Sequence, residues 1–202
     1  MEIKKEDLKL RNSLPEEIKM KIETIEHRIT PALTKTTGIN YEFTEHGLPH
    51  SIVVEKIYDE LLNNDNSKLN DTEKFLLITA TLLHDIGMVG KAQYAKDPDY
   101  AVESRDSHNI NTKKIIREIY AMLNLDRGEA DYIADIAEAH RSKPIEEMEE
   151  IKSLGIGNLI RFRLLGALLR IADELHLTYD RSDDIILRIT VQTIIRRKGK
   201  RN

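Results

Sequence analysis

Apolar residues recur every three to four positions along most of the chain, and this period predicts a succession of α-helices. A first helix is expected to begin after Pro15, because the isoleucines within residues 18–29 lie at helical spacing. Pro31 and Gly38 are expected to interrupt the pattern that follows. A second helix is expected to carry the apolar residues within 53–62.

A nearly continuous apolar run at residues 75–83 predicts a third helix that is central and buried on most sides. Asn70 or Asp71 is expected to cap its start, and its end is expected around Gly87 and Gly90. The pattern then predicts a polar loop and three further helices, at about residues 91–105, 107–124, 127–140 and 157–177.

The end of the chain has a different pattern. Residues 185–195 alternate imperfectly between apolar and polar side chains, which favours a short β-strand near the C-terminus. We expect one all-α domain, a compact helical bundle over residues 1–182 with its core at about 20–180, and a C-terminal extension over 183–202. The basic run 196–201 fits a solvated tail, a contact for nucleic acid or membrane, or the edge of a longer protein.

The composition is that of a globular protein, with 33% charged residues and a formal net charge of -4. Such a charge provides no broad attraction for nucleic acid. The N-terminus has no apolar signal segment, and no apolar run approaches the ~20 residues of a membrane span, so we expect a cytoplasmic protein. Cysteine is absent, which leaves His, Asp and Glu as the candidate metal ligands.

A histidine followed by an aspartate, His84-Asp85, lies at the predicted end of the third helix. Burying these side chains is costly unless they are paired or bind a cation, and a divalent metal would offset that cost. Taken alone, the pair is better explained as a helix end that hydrogen-bonds to nearby backbone.

Further ligand-type residues lie beside apolar helical stripes elsewhere in the chain. Asp173 is the most informative of them, because an unpaired carboxylate within its apolar surroundings would be costly. A polar residue at the boundary of an apolar stripe, repeated on five predicted helices, is typical of a site inside a helical bundle. The candidate metal ligands are His50, His84, Asp85, His108, His140 and Asp173.

The order of these residues resembles the signature of the HD superfamily of metal-dependent phosphohydrolases. The local sequences after His50, around His84-Asp85-Ile86-Gly87 and around Asp173 are similar to motifs of that family. The resemblance covers about residues 20–182 and implies an HD-type helical bundle. A looser similarity at residues 30–47 is to HD modules at the front of large bacterial proteins of defence or signalling.

The resemblance implies two divalent ions that share Asp85. Residues matching His108 and His140 would bind one ion, and a surface histidine capping a helix is the alternative for His108. Mn or Fe is favoured by the ligand types, with Zn, Ni, Co or Mg also open. The ligands of the other ion would be the residues matching His50, His84, Asp85 and Asp173.

The activity implied by the resemblance is hydrolysis of a phosphomonoester or phosphodiester bond, in a nucleotide, by metal-activated hydroxide at Asp85. The expected partner is therefore a phosphorylated small molecule. Many cyclic-dinucleotide phosphodiesterases of this superfamily have a lysine at the position of Met88, so that activity is disfavoured. The oligomeric state and any larger-protein context are left open.

Several other residues are candidates for contact with substrate. His46 could donate a proton and Lys91 could supply a cation, although each also fits an ordinary loop residue. His27 and His176 fit no ligand position and are expected to be ordinary helix residues. The candidates for binding phosphate, each with a solvated position as its alternative, are Arg141, Lys143 and Arg181.

Two other functions stay open on the same residues. A di-iron oxygenase of HD type uses the same six ligands and would be identified by mixed-valent iron and consumption of dioxygen. A metal-stabilised regulatory module within a larger defence or signalling protein would bind nucleotides without turning them over.

Overall fold

The computed structural model of the protein describes residues 3–36, 47–88, 98–141, 143–155 and 158–179. This described part is almost entirely helical, which confirms the expected all-α class. Strands β1 (Lys152–Ser153) and β2 (Leu159–Ile160) form a small antiparallel sheet. The helices are α1 (Lys9–Asn12), α2 (Glu16–Thr36), α3 (Leu48–Leu61), α4 (Asp71–Leu83), α5 (Pro98–Ile119), α6 (Arg127–Glu138) and α7 (Phe162–Tyr179).

Helix α4 is the centre of the bundle, as its apolar sequence predicts. Every residue from Glu73 to Leu83 is buried, and α4 packs against α2, α3, α6 and α7. The start of α4 is fixed by a capping box. The Asn70 side chain accepts the Glu73 N–H at 2.9 Å, and the Glu73 carboxylate accepts the Asn70 N–H at 3.0 Å.

Helix α2 continues through Pro31, so the expectation that this proline interrupts the helix is wrong. Proline lacks an N–H and removes one hydrogen bond of the helix. Ile29 and Leu33 on either side of it are both buried, and their packing against the core outweighs that loss. Gly38 lies outside the described residues.

Two helix starts also differ from the predicted ones. Helix α5 begins at Pro98 and not near residue 107, because proline suits the first position of a helix. His108 therefore lies in the middle of α5 and does not open it. Helix α7 begins at Phe162, because residues 159–160 pair as β2.

A group of buried ion pairs, called the Arg11 cluster (Arg11, Glu26, Glu55 and Asp59), joins the N-terminal segment to α2 and α3. Arg11 Nε donates to Glu55 Oε2 at 2.9 Å, and Arg11 Nη1 donates to Glu26 Oε2 at 2.8 Å. The Asp59 carboxylate accepts two backbone N–H groups at the start of α1, each at 2.8 Å. Each carboxylate of this cluster thus has a cation or a donor.

Among the described helices, none has the length and apolarity that crossing a membrane requires. The strand predicted at residues 185–195 and the extension at 183–202 lie outside the described residues.

Candidate metal centre

The structure brings the six predicted metal ligands together inside the bundle. Each of them is only 1–8% exposed to solvent. Their side chains come from the first turn of α3, the turn after α4, the middle of α5, the turn after α6 and the body of α7. We call this set the ligand cluster. In the order of those positions, its members are His50, then His84 with Asp85, then His108, His140 and Asp173.

Four of these residues form a first group. His50 Nε2 lies 3.0 Å from His84 Nε2 and 3.1 Å from Asp173 Oδ1. His84 Nε2 lies 3.1 Å from Asp85 Oδ2 and 3.6 Å from Asp173 Oδ1. Two imidazole nitrogens and two carboxylate oxygens therefore face one another.

A second group uses the other oxygen of Asp85. His108 Nε2 lies 2.8 Å from His140 Nε2. Asp85 Oδ1 lies 3.3 Å from His108 Nε2 and 3.8 Å from His140 Nε2. Asp85 thus directs one oxygen to each group, which is the arrangement of a bridging carboxylate.

Both groups have the dimensions of a site for a divalent ion. Such ions bind nitrogen and oxygen ligands at about 2.0–2.2 Å, so two ligands of one ion lie at most about 4.4 Å apart. The separations given above, together with 3.9 Å between His50 Nε2 and Asp85 Oδ2, satisfy this limit. Each group can therefore hold a metal ion, and imidazole with carboxylate suits Mn, Fe or Zn.

Helix ends orient two of the histidines. His84 Nδ1 lies 2.7 Å from the Thr81 carbonyl, and His140 Nδ1 lies 2.6 Å from the Ala137 carbonyl. The last carbonyls of a helix lack the N–H that a further turn would supply, so the carbonyls at the ends of α4 and α6 can accept these bonds. Because a carbonyl only accepts, Nδ1 carries the hydrogen in both rings, and the neutral form of either ring has its lone pair at Nε2.

The buried charges in the cluster compensate one another. Burial opposes a charge on His84, but the carboxylates of Asp85 and Asp173 raise its pKa well above the usual value. Burial likewise opposes ionisation of Asp173, but hydrogen bonds from His50 and His84 hold its pKa well below the usual range. Burial and the charge on His84 lower the pKa of His140 to about 3, so His140 stays neutral, as a ligand must be.

His176 contacts His50 behind the ligand cluster, and the sequence did not predict this contact. The prediction that it is an ordinary helix residue is wrong, since it is buried and its Nδ1 lies 2.7 Å from His50 Nδ1. One ring donates to the other, which leaves His50 Nε2 directed into the cluster. The one signal in the sequence is its position one helical turn after Asp173. His27 is exposed, as expected.

The predicted substrate contacts are only partly within the described residues. Arg141 directly follows His140, is half-buried, and its carbonyl accepts a hydrogen bond from Arg170. Lys143 Nζ donates to Glu138 Oε2 at 2.8 Å. Binding of phosphate by either residue stays a prediction. The candidates outside the described residues are His46, Lys91 and Arg181.

A narrow cavity borders the first group of ligands. It is too tight to admit a water molecule and is lined by Leu33, Gly47, Ser51 and Leu82 beside the ligands. A wider cavity of about 570 Å³ lies between α2, α4 and α6 and contains no residue of the ligand cluster. Cavity size alone would therefore not have located the candidate site.

The fold and the cluster together define an HD-type domain, a helical bundle with buried histidines and aspartates at its centre. Comparison with known families matches residues 41–196 to HD-CE, and the chain belongs to this family. Searches of curated proteins and of solved structures found no match. The expectation of an HD-type domain with a candidate metal site is confirmed, whereas the type of reaction stays a prediction.

Proposed function

We propose that the protein is a metal-dependent phosphohydrolase that cleaves a phosphomonoester or phosphodiester bond, with nucleotides as its substrate class. Membership of the HD-CE family supports a hydrolase of HD type. The observation that carries the proposal is the position of Asp85, whose two oxygens each face a pair of buried histidines. This arrangement suits two ions that share one carboxylate.

The two groups have separate roles in this proposal. The first group holds one ion through His50, His84, Asp85 and Asp173, and the second holds another through Asp85, His108 and His140. When bound, the ions supply Lewis acidity toward phosphoryl oxygens and lower the pKa of a water, which provides a nucleophile near neutral pH.

The chain itself contributes orientation and exclusion of water. The carbonyls of Thr81 and Ala137 hold the rings of His84 and His140 with their Nε2 atoms directed into the cluster. Burial of Asp85 removes competing solvent, which strengthens its attraction for cations.

Substrate contacts are proposed for the residues next to the second group. Arg141 and Lys143 lie one and three residues after His140 and would donate to phosphate oxygens, with Lys143 exchanging its Glu138 partner for the substrate. His46, Lys91 and Arg181 are proposed as further contacts.

The test uses the full chain, purified without chelators and loaded with Mn²⁺ or Fe²⁺. The substrates are p-nitrophenyl phosphate, bis(p-nitrophenyl) phosphate and a panel of linear and cyclic nucleotides. We expect release of phosphate or nucleoside monophosphate, loss of that activity on chelation, and recovery when metal is restored. His140→Ala should abolish it, whereas the exposed control His27→Ala should not change it.

Two results would overturn the proposal. Oxygen consumption by the iron-loaded protein, without hydrolysis of any substrate, would identify a di-iron oxygenase. Nucleotide binding without turnover, with every metal tried, would identify a regulatory module.

A further inference from the structure

The turn that carries His84 and Asp85 is attached to α5 by one buried side chain. The Thr112 hydroxyl accepts the Gly87 N–H at 2.9 Å and donates to the His84 carbonyl at 2.7 Å. Thr112 has no exposed surface. Its two hydrogen bonds bracket Asp85 in the sequence and hold the backbone on both sides of it.

Gly87 permits this contact because it has no side chain. A Cβ atom at this position would lie 2.6 Å from the backbone nitrogen of Thr112, and closer still to the carbonyl oxygen of His108. Backbone atoms cannot move aside as a flexible side chain can. The turn and α5 are therefore in direct backbone contact, and the hydroxyl of Thr112 lies within that contact.

This contact joins the segments that carry Asp85 and His108, two residues of the second group. His108 lies one helical turn before Thr112 on the same face of α5, and its Nε2 is 3.3 Å from Asp85 Oδ1. A shift of α5 along the turn would change this distance directly. Thr112 also contacts the carbonyl of His84 in the first group, but the rings of that group have attachments of their own, because the His84 ring is held by Thr81 and the His50 ring by His176.

We propose that Thr112 is a positioning residue that sets the spacing between Asp85 and His108 and thereby determines the affinity of the second metal ion. The proposal rests on the two-ion site proposed above. It assigns Thr112 no contact with metal or substrate. Loss of its hydroxyl is expected to weaken the second ion selectively, because a partner that orients a ligand typically changes metal affinity by about 10–100-fold.

The test compares Thr112→Val, which keeps the shape and removes the hydroxyl, with Thr112→Ser, which keeps the hydroxyl. Mn²⁺ titration against a competing chelator measures the affinity of each ion, and electron paramagnetic resonance detects the coupled pair. In Thr112→Val we expect second-ion affinity to fall about 10–100-fold, first-ion affinity to change little, and the coupled signal to disappear. Thr112→Ser should retain both ions and the signal.

Thr79→Val is the matched control. Thr79 is also fully buried, lies on α4, and its hydroxyl has no hydrogen-bond partner among the described residues. The same substitution there should leave both affinities unchanged. Thr112→Ala provides a second variant without the hydroxyl, in case Thr112→Val does not fold as judged by circular dichroism.

Three results would overturn the inference: equal weakening of both ions, unchanged affinity in both hydroxyl-free variants, or fewer than two ions in the unmodified protein. The outcome is separable from the proposed function. A protein that binds two ions and responds as expected, yet hydrolyses no substrate, would retain the role of Thr112 and refute the phosphohydrolase.

Discussion

Helix α3 carries residues of two buried polar clusters, and the two differ in the groups that contact their carboxylates. Glu55 and Asp59 belong to the Arg11 cluster, where carboxylates meet a guanidinium and backbone donors. His50, in the first turn of the same helix, belongs to the ligand cluster, where imidazole rings meet carboxylates. Both sets are nearly inaccessible to solvent.

This difference assigns a structural role to the Arg11 cluster and a metal-binding role to the ligand cluster. Buried charges stabilise a fold only when complementary groups surround them. The Arg11 cluster has its cation built in, so its role is to hold the N-terminal segment on α2 and α3. The ligand cluster concentrates imidazole and carboxylate side chains around two points, and these are the ligand types of a metal centre. Both clusters are buried, so burial does not distinguish them. What distinguishes them is the partner of the carboxylates, which is a guanidinium in the Arg11 cluster and imidazole rings in the ligand cluster.

The largest expected effect is at the carboxylate that faces both groups. Asp85→Asn keeps the shape of the side chain but removes its charge, so affinity for both ions should fall. Hydrolysis should decrease by about a thousandfold or more, since bound metals contribute several kcal/mol to catalysis. The metal-free variant should lose little stability, because His84 keeps Asp173 as a carboxylate partner. Urea unfolding with chelator and metal titration together measure both effects.

Arg11→Met should lower the stability of the fold and leave metal binding unchanged, which is the opposite of the effect expected for Asp85→Asn. Glu55 would be left buried without its cation, and the free energy of unfolding should fall by about 3–5 kcal/mol. The number of metal ions per folded chain should not change. The double variant Arg11→Met/Glu55→Met should recover most of the stability, and a failure to recover it would contradict the ion-pair explanation.

His176→Phe tests the contact behind the first group. The ring is retained but the hydrogen bond to His50 is lost, so first-ion affinity should fall about 10-fold or more while second-ion affinity stays the same. Isothermal titration with Mn²⁺ measures both steps. His27→Phe, at an exposed position of α2, is the control. An equal loss at both ions would count against a local effect.

The smallest effect concerns Glu73, another buried carboxylate with its own partners. Burial opposes its ionisation, but hydrogen bonds from Arg161 and Asn70 lower its pKa below the usual value. A lowered pKa in the folded state stabilises the protein above pH ~4.3, and this stability is lost as pH falls through the folded pKa. Glu73→Gln should therefore cost about 1 kcal/mol at pH 7, with the difference narrowing in acid. Urea unfolding at several pH values measures the gap, and a gap independent of pH would contradict this assignment.

The sequence was informative where one helix face determines a residue's environment. Asp173 and His84 lie beside apolar stripes, so their burial and their candidate role as ligands were predictable before the fold was known. The central position of α4 was predictable for the same reason.

The sequence was silent where a role depends on contact between distant segments. His176 and Thr112 act through His50 and through the turn after Asp85, and no periodic pattern signals either contact. The start of α5 at Pro98 was missed because a polar helix start resembles a polar loop in composition. Strands of two residues, such as β1, are too short to produce an alternating pattern.

We have proposed that the ligand cluster holds two metal ions that share Asp85. Anomalous diffraction from crystals of the Mn²⁺-loaded protein tests it most directly. We expect two anomalous peaks, one beside His50 and His84 and one beside His108 and His140, with Asp85 between them. No peak in the cluster, or a manganese site elsewhere in the molecule, would contradict it.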